Sequence, residues 1–361
     1  MTSQGPGARV TVPPRRRAED RPHGGSPRRR ADDPPSRGPA VVALGGGHGL
    51  AATLGALTRV TERLTAIVTV ADDGGSSGRL RTELGGLPPG DLRMALASLA
   101  GTTADEGRWR DLLQHRFGGR GPLAGHAVGN LLLCGLTDVL GDPVAALDLA
   151  ARLVGARGRV LPASTVPLDI EADVVGLDPA DPGAVERVRG QVAVATTPGQ
   201  VVGVRLRPES PPACPEALAA LAAAETVVLG PGSWFTSVLP HLLVPGLAAA
   251  LAASPARTVV TLNLAPQPGE TDGFSPETHL EVLAAHAADL TVDVVLADRA
   301  AAGDPRGLMA AAEALGARVV LADVAAPDGR PVHDPGRLAA AYADVMGCPL
   351  LGIGPQESGE W

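Results

Sequence analysis

From Pro39 onward the chain alternates short, unbroken apolar runs with longer alanine- and leucine-rich stretches at helical spacing, and few architectures satisfy that alternation. The runs at residues 40–44, 65–70, 226–229, 258–262, 293–296 and 318–321 are four to six residues long and lack polar alternation, so each reads as a strand covered on both faces. Helices are expected after Gly49 and from Asp91, His126, Pro276, Pro305 and Asp334. Strands linked by crossover helices build a parallel sheet, which makes the fold class α/β: a Rossmann-like, doubly wound, mostly parallel sheet. Between about residues 160 and 206 the pattern changes to short β segments broken by Pro, Gly and Asp, at 170–175, 192–196 and 201–206, as in a small β-rich insertion or lid. Residues 39–361 are read as a single domain carrying that insertion.

The first 38 residues differ in kind. They hold nine Arg against four Asp and Glu, a balance of +5, so the remainder of a chain with net charge −8 carries −13. A Pro-, Gly- and Arg-rich leader of this composition cannot bury enough apolar surface to fold and is expected to be disordered. Its arginine runs at 15–17 and 28–30 suit RNA or anionic lipid, but no apolar or amphipathic stretch follows to make a secretory signal or transit peptide. The acidic remainder does not suit wrapping of a duplex, and seven aromatic residues are too few for a single-strand stacking platform. No specific nucleic acid is therefore expected. The chain has no lysine, and all 31 of its Lys+Arg are arginine. That removes a Walker A lysine, a Schiff-base lysine and a kinase-type lysine, and leaves phosphate binding to backbone amides or arginine. Cys134, Cys214 and Cys348 lie far apart without a CxxC, which argues against a disulfide framework or structural zinc and suits the cytoplasm. The longest apolar run, 246–253, ends at Pro245 and Ser254, well short of the ~20 residues of a membrane span.

Four polar loops follow strands or open helices. The first strand runs into Gly45-Gly46-Gly47-His48-Gly49 and a helix, where free amides and the helix dipole favour phosphate. Gly47, Gly49 and Ala52 also satisfy GxGxxA, with Asp72 twenty residues on, as in a dinucleotide fold, though glycines serve tight turns equally. The second strand ends in Asp72-Asp73-Gly74-Gly75-Ser76-Ser77-Gly78-Arg79, read as two carboxylates and a flexible loop of small donors. Its carboxylates can bind a hydroxyl or a cation such as Mg²⁺, and its Ser, Gly and Arg79 suit phosphate. Asp91 can cap the helix beginning there, with Arg93 set against the dipole. His126 and Asn130 stand four apart on one helix face, in reach of one ligand or merely packed in the core. Gly230, Gly232 and Ser233 form a second strand-end nest, with Thr236 and Ser237 behind it. Asn263, Gln267, Glu270 and Thr271 belong to a loop too polar for a plain connection. In an open α/β sheet all these loops share the carboxyl edge, where one cleft can collect them.

The segments ADDGGSSGRLR at 71–81, GPGSWFTS at 230–237 and QPGETDG at 267–273, with 45–49, 90–93 and 125–130, resemble the YvcK family of gluconeogenesis factors. The resemblance covers the chain from about Pro39 on. It implies a fold shared with CofD, the phospholactate-type transferase of deazaflavin coenzyme F420 synthesis, with a nucleotide at the glycine loops. It further implies binding of UDP-sugars such as UDP-N-acetylglucosamine and a role in cell shape, peptidoglycan synthesis and gluconeogenic growth, without an assigned turnover. Met94, Ala127 and Val332 stand where that pattern has Asn, Ser and a basic residue, and the last change removes an expected anion contact.

Three readings follow. In the first, a regulator binds a UDP-sugar: the glycine loops hold its phosphates, Asp72 or Asp73 meets sugar hydroxyls or a metal, and His126 and Asn130 orient it. In the second, a CofD-like transferase uses Mg²⁺ on Asp72 or Asp73 to neutralise a transferred phosphoryl group. The third, an NAD-dependent oxidoreductase, rests on GxGxxA and Asp72 alone. A homodimer and a protein partner stay open.

Overall fold

The computed structural model describes residues 38–267 and 269–351, so the expected leader lies, but for Gly38, outside the described residues. Ten strands are described: β1 (Ala40–Gly45), β2 (Arg63–Val68), β3 (Arg159–Pro162), β4 (Asp169–Val175), β5 (Glu186–Arg189), β6 (Gln200–Arg207), β7 (Thr226–Leu229), β8 (Arg257–Thr261), β9 (Val294–Asp298) and β10 (Arg318–Ala322). Seven of them form one sheet in the order β10-β9-β8-β7-β1-β2-β3, and every pairing in it is parallel. Helices cover both faces, as the apolar strand sequences require: every residue of β7 and β9 is buried.

The order of the strands places the site. From β1 the chain builds outward through β2 and β3, and later returns to β1's other side with β7 and continues to β10. The reversal therefore lies between β1 and β7, whose register pairs Leu44 with Leu229, so their carboxyl-end turns leave the sheet side by side. Helix Gly47–Leu57 descends from β1 and packs against helices Pro89–Leu99 and Pro335–Met346.

The last of these helices carries Tyr342, fully buried, with its hydroxyl 2.9 Å from Thr261 Oγ1 and 3.5 Å from Thr53 Oγ1. Thr53 donates to the Gly230 carbonyl at 3.1 Å, so its only hydroxyl proton is spent and Tyr342 must donate to it, while Thr261 donates to Tyr342. The relay ties two helices and β8 to the turn after β7.

Three expectations need correction. Residues 192–196, valine-rich and read as β, lie in helix Gln191–Ala195 and its end, because the Asp73 carboxylate caps the Val192 N–H at 3.0 Å and only Val194 is buried in the helix. Tertiary capping overrides β propensity here. The segment after Asp73, expected as a loop, enters helix Gly75–Leu84, whose Ser76, Ser77 and Gly78 are buried. Within residues 160–206, β3 belongs to the main sheet, and the insertion's own antiparallel sheet, β5-β4-β6, begins at Asp169.

Tyr342→Phe leaves a buried Thr261 hydroxyl without its partner. Urea unfolding is expected to show a loss of about 1–3 kcal/mol. A variant as stable as wild type would show that the relay contributes nothing.

Candidate functional site

Two glycine turns meet at the strand reversal. A Cβ on Gly49 would stand 2.2 Å from the Pro231 carbonyl oxygen and 2.7 Å from Gly232 Cα, so only glycine lets the two backbones touch. At Gly46 a Cβ would lie 2.6 Å from an Asp91 carboxylate oxygen and 2.7 Å from Thr69 Cγ2. The remaining loops converge on this contact. Asn263 pins Gly232 from both sides, accepting from its N–H and donating to its carbonyl, each at 2.8 Å. Gly45 ends β1 and accepts from Thr69 N–H, and Gly230 is held by Thr53.

Above the contact opens a cleft of about 520 Å³. The first turn supplies Gly46, Gly47, His48 and Gly49, and the second supplies Gly232, Ser233, Thr236 and Ser237. Gln267 and Glu270, with Gln191, Val192, Ala195 and Thr196 of the insertion and Asp91, complete the lining. Thr271 sits fully buried beneath, its hydroxyl accepting from Gln267 N–H at 2.8 Å. Gln267 Oε1 is buried without a partner among the described residues, as is Thr69 Oγ1 beside Gly46. Gln267 belongs to the cleft lining, and an unsatisfied acceptor there is what a ligand's polar groups satisfy.

Of the expected carboxylates, Asp72 and Asp73 part company. Asp73 caps Val192 and so anchors the insertion wall. Asp72 accepts from Gly74 N–H at 2.9 Å and from Ser77, and its charge acts on Asp91. Burial raises the Asp72 pKa, against the Gly74 and Ser77 hydrogen bonds and with the Asp73 charge adding to it. Asp91, expected to cap its own helix, instead accepts from the Gly47 N–H of the first turn, and the cap position is Pro88. Burial and then the Asp72 charge push its carboxyl up to about 7, opposed by Gly47 and Arg93. Asp91 is a site residue that sequence reasoning assigned to local capping; it lies nineteen positions after Asp72, and no local pattern signals their meeting.

Ser76, His126 and Asn130 meet, but behind the cleft rather than in its lining. Ser76 Oγ accepts from Asn130 Nδ2 at 3.0 Å and Ala127 N–H at 3.4 Å, leaving its proton for His126 Nδ1 at 2.9 Å. Asn130 Oδ1 accepts from the buried Arg93 Nε at 2.9 Å, which carries the network forward to the Asp91 charge. Arg79 donates to the carbonyls of Ala124, at 2.9 Å, and Pro122, so its guanidinium braces the loop before His126. Ser77 Oγ accepts from Gly90 N–H at 2.9 Å and fixes the start of the helix bearing Asp91.

Residues 41–332 match the family profile of 2-phospho-L-lactate transferase CofD. A Mycobacterium tuberculosis protein provisionally named gluconeogenesis factor is 60% identical over 308 residues, covering 84% of this chain and 90% of that protein. The gluconeogenesis factor of Halalkalibacterium halodurans is 40% identical over 256 residues, 71% of this chain and 76% of its own length. The crystal structure of a UPF0052-family protein from Bacillus halodurans superposes with a TM-score of 0.75 at 34% identity, covering 84% of this chain and 98% of that one.

The Asp91 carboxyl generates a pH prediction. With its pKa raised from 3.8 to about 7, the folded state keeps a proton that the unfolded chain has released, so this group's effect on stability becomes less favourable as pH rises from 4 to 7. Asp91→Asn should therefore lose less stability than wild type between pH 5 and 8, in metal-free buffer, when urea midpoints are compared at both pH values. Parallel curves for the two proteins would remove Asp91 as a titrating group.

Proposed function

The chain belongs to the CofD family, on its gluconeogenesis-factor (YvcK) branch, and from that membership we propose that the cleft binds a nucleotide-sugar of the UDP-N-acetylglucosamine type as a regulatory ligand. The observation that carries the reading is the convergence of two glycine turns and a polar loop on one cleft at the strand reversal. Its volume of about 520 Å³ lies in the range of small-molecule sites. Serine, threonine and glutamine line it, and no arginine does among the described residues, which suits hydroxyls better than a dense run of phosphates. Through that ligand the protein would link nucleotide-sugar supply to cell shape, cell-wall synthesis and gluconeogenic growth, in the cytoplasm that its three free cysteines suit.

A divalent cation fits Asp72 and Asp91 better than Asp73. The Asp72 charge helps raise the Asp91 pKa, a repulsion that a cation relieves, and no group of three or more His, Cys, Asp or Glu suited to a metal occurs among the described residues. Mg²⁺ commonly takes one or two carboxylates and completes its shell with phosphate oxygens and water. Such an ion would offset the charge of a bound diphosphate. The chain's own part is to hold both carboxylates in place, through Gly74 and Ser77 for Asp72 and Gly47 for Asp91.

That same pair favours a second reading, a CofD-like transferase, in which the two aspartates would hold a divalent cation able to neutralise charge on a transferred phosphoryl group. The dinucleotide reading has less support, because the Pro231–Gly232 backbone covers the Gly49 face across which a pyrophosphate would lie.

Thermal shift with Mg²⁺ and UDP-N-acetylglucosamine, UDP-glucose, GTP or NAD tests the first reading. A UDP-sugar at 100 times its Kd is expected to stabilise by about 2.7 kcal/mol. Selective stabilisation by NAD or GTP would refute it. Mass analysis after long incubation with GTP, phosphoenolpyruvate and a deazaflavin precursor should find them intact; turnover lost in Asp91→Asn would establish the transferase.

A further inference from the structure

The second anion nest is already filled. Behind the Gly230–Ser233 turn, the amides of Phe235 and Thr236 and the Ser233 hydroxyl point to one place, and the Glu270 carboxylate occupies it. It accepts from Phe235 N–H at 2.8 Å, from Thr236 N–H at 3.0 Å and from Ser233 Oγ at 2.6 Å. Glu270 is only 5% exposed, yet it lines the cleft. It is also held from behind: its N–H donates to the Gln267 carbonyl, and a Cβ on the neighbouring Gly269 would stand 2.7 Å from the Ala195 carbonyl of the insertion wall. The backbone that carries the side chain is thus held in place, and the three donors of the nest hold its carboxylate.

We propose that Glu270 determines specificity in this cleft, its fixed carboxylate taking the place of a phosphate so that a diphosphate carrying a hydroxyl-bearing group is admitted and a third phosphate is refused. The inference rests on the nucleotide-sugar reading and adds the reason for it. A terminal phosphate placed beside Ser233 would meet a buried like charge, with no arginine among the described lining residues to offset it. A sugar hydroxyl in the same place can donate to Glu270 instead. Both amide bonds fall on Oε1, and Oε2 is engaged by Ser233 alone, so Oε2 keeps acceptor capacity for it. Rejection of one ligand through an unpaired like charge is as much a part of selectivity as attraction of another.

The test compares the UDP-N-acetylglucosamine-to-UTP affinity ratio in wild type, E270Q and E270D by calorimetry, with circular dichroism to confirm folding. Wild type is expected to prefer the sugar nucleotide by about tenfold or more; E270Q should lose that preference through a gain in UTP affinity, and E270D should keep it. A purely structural cap would lower both affinities by the same factor, and an unchanged ratio in E270Q overturns the filter while the nucleotide-sugar reading stands. Wild type that binds UTP as tightly as the sugar nucleotide overturns the filter even if E270Q fails to fold. Wild type that binds neither uridine nucleotide overturns the nucleotide-sugar reading, and inorganic phosphate then decides the filter: stabilisation of E270Q or E270A but not of wild type supports it, and equal response overturns it.

Discussion

Backbone contact between Gly49 and the Pro231–Gly232 peptide is the constraint from which the rest of the cleft follows. Parallel pairing of β1 with β7 brings the two turns level, and the missing Cβ lets them close to van der Waals distance. Two helix starts are thereby forced to share one small volume, each presenting amides that need acceptors. The protein supplies an acceptor to each from outside its own turn: Asp91 takes the Gly47 N–H, and Glu270 takes those of Phe235 and Thr236. A pair of nests that sequence alone assigns to phosphates thus carries two carboxylates, and the cleft's electrostatics are set by their balance with the helix dipoles.

A second layer of polar residues keeps those carboxylates where they are. Ser76 joins the starts of helices Gly75–Leu84 and Val128–Leu140 through His126, Ala127 and Asn130. Asn130 in turn orients Arg93, one turn's reach from Asp91 on the same helix. Buried networks with every member paired resist displacement, because breaking one bond strands a polar group in low dielectric. Arg79 and Ser77 act in the same sense, bracing the loop before His126 and the first turn of the Asp91 helix.

The strands were legible because doubly covered parallel strands bury most of their positions, so apolar runs such as Val41–Leu44 stand out. The convergence of the loops was legible for a topological reason, since parallel strands put all their carboxyl ends on one edge. What escaped was whatever depends on a partner distant in sequence. Residues 192–196 carry a β-like pattern and become helical because Asp73, 119 residues away, caps them. Asp73 looked like a ligand group and is a cap, whereas Asp91 looked like a cap and faces the cleft; alike in residue type, such aspartates are told apart only by which amide each one finds. Arg79 followed a glycine and serine run and seemed made for phosphate, but the carbonyls of residues 122 and 124 reach it first.

The walls of the cleft differ in what holds them. Its floor is sheet and buried relay, whereas the insertion helix Gln191–Ala195 is tied down by the Asp73 cap, the Arg81–Asp169 and Arg189–Asp169 pairs and the packing of Gly269. Burial raises the Asp169 pKa, but its arginine bonds outweigh that and the carboxyl titrates below its usual range, so the ties persist at neutral pH. Yet they are few, and Arg189 is 62% exposed, where an ion pair is worth little. Local stability follows the density of buried contacts, so the insertion wall opens at lower cost than the floor deforms.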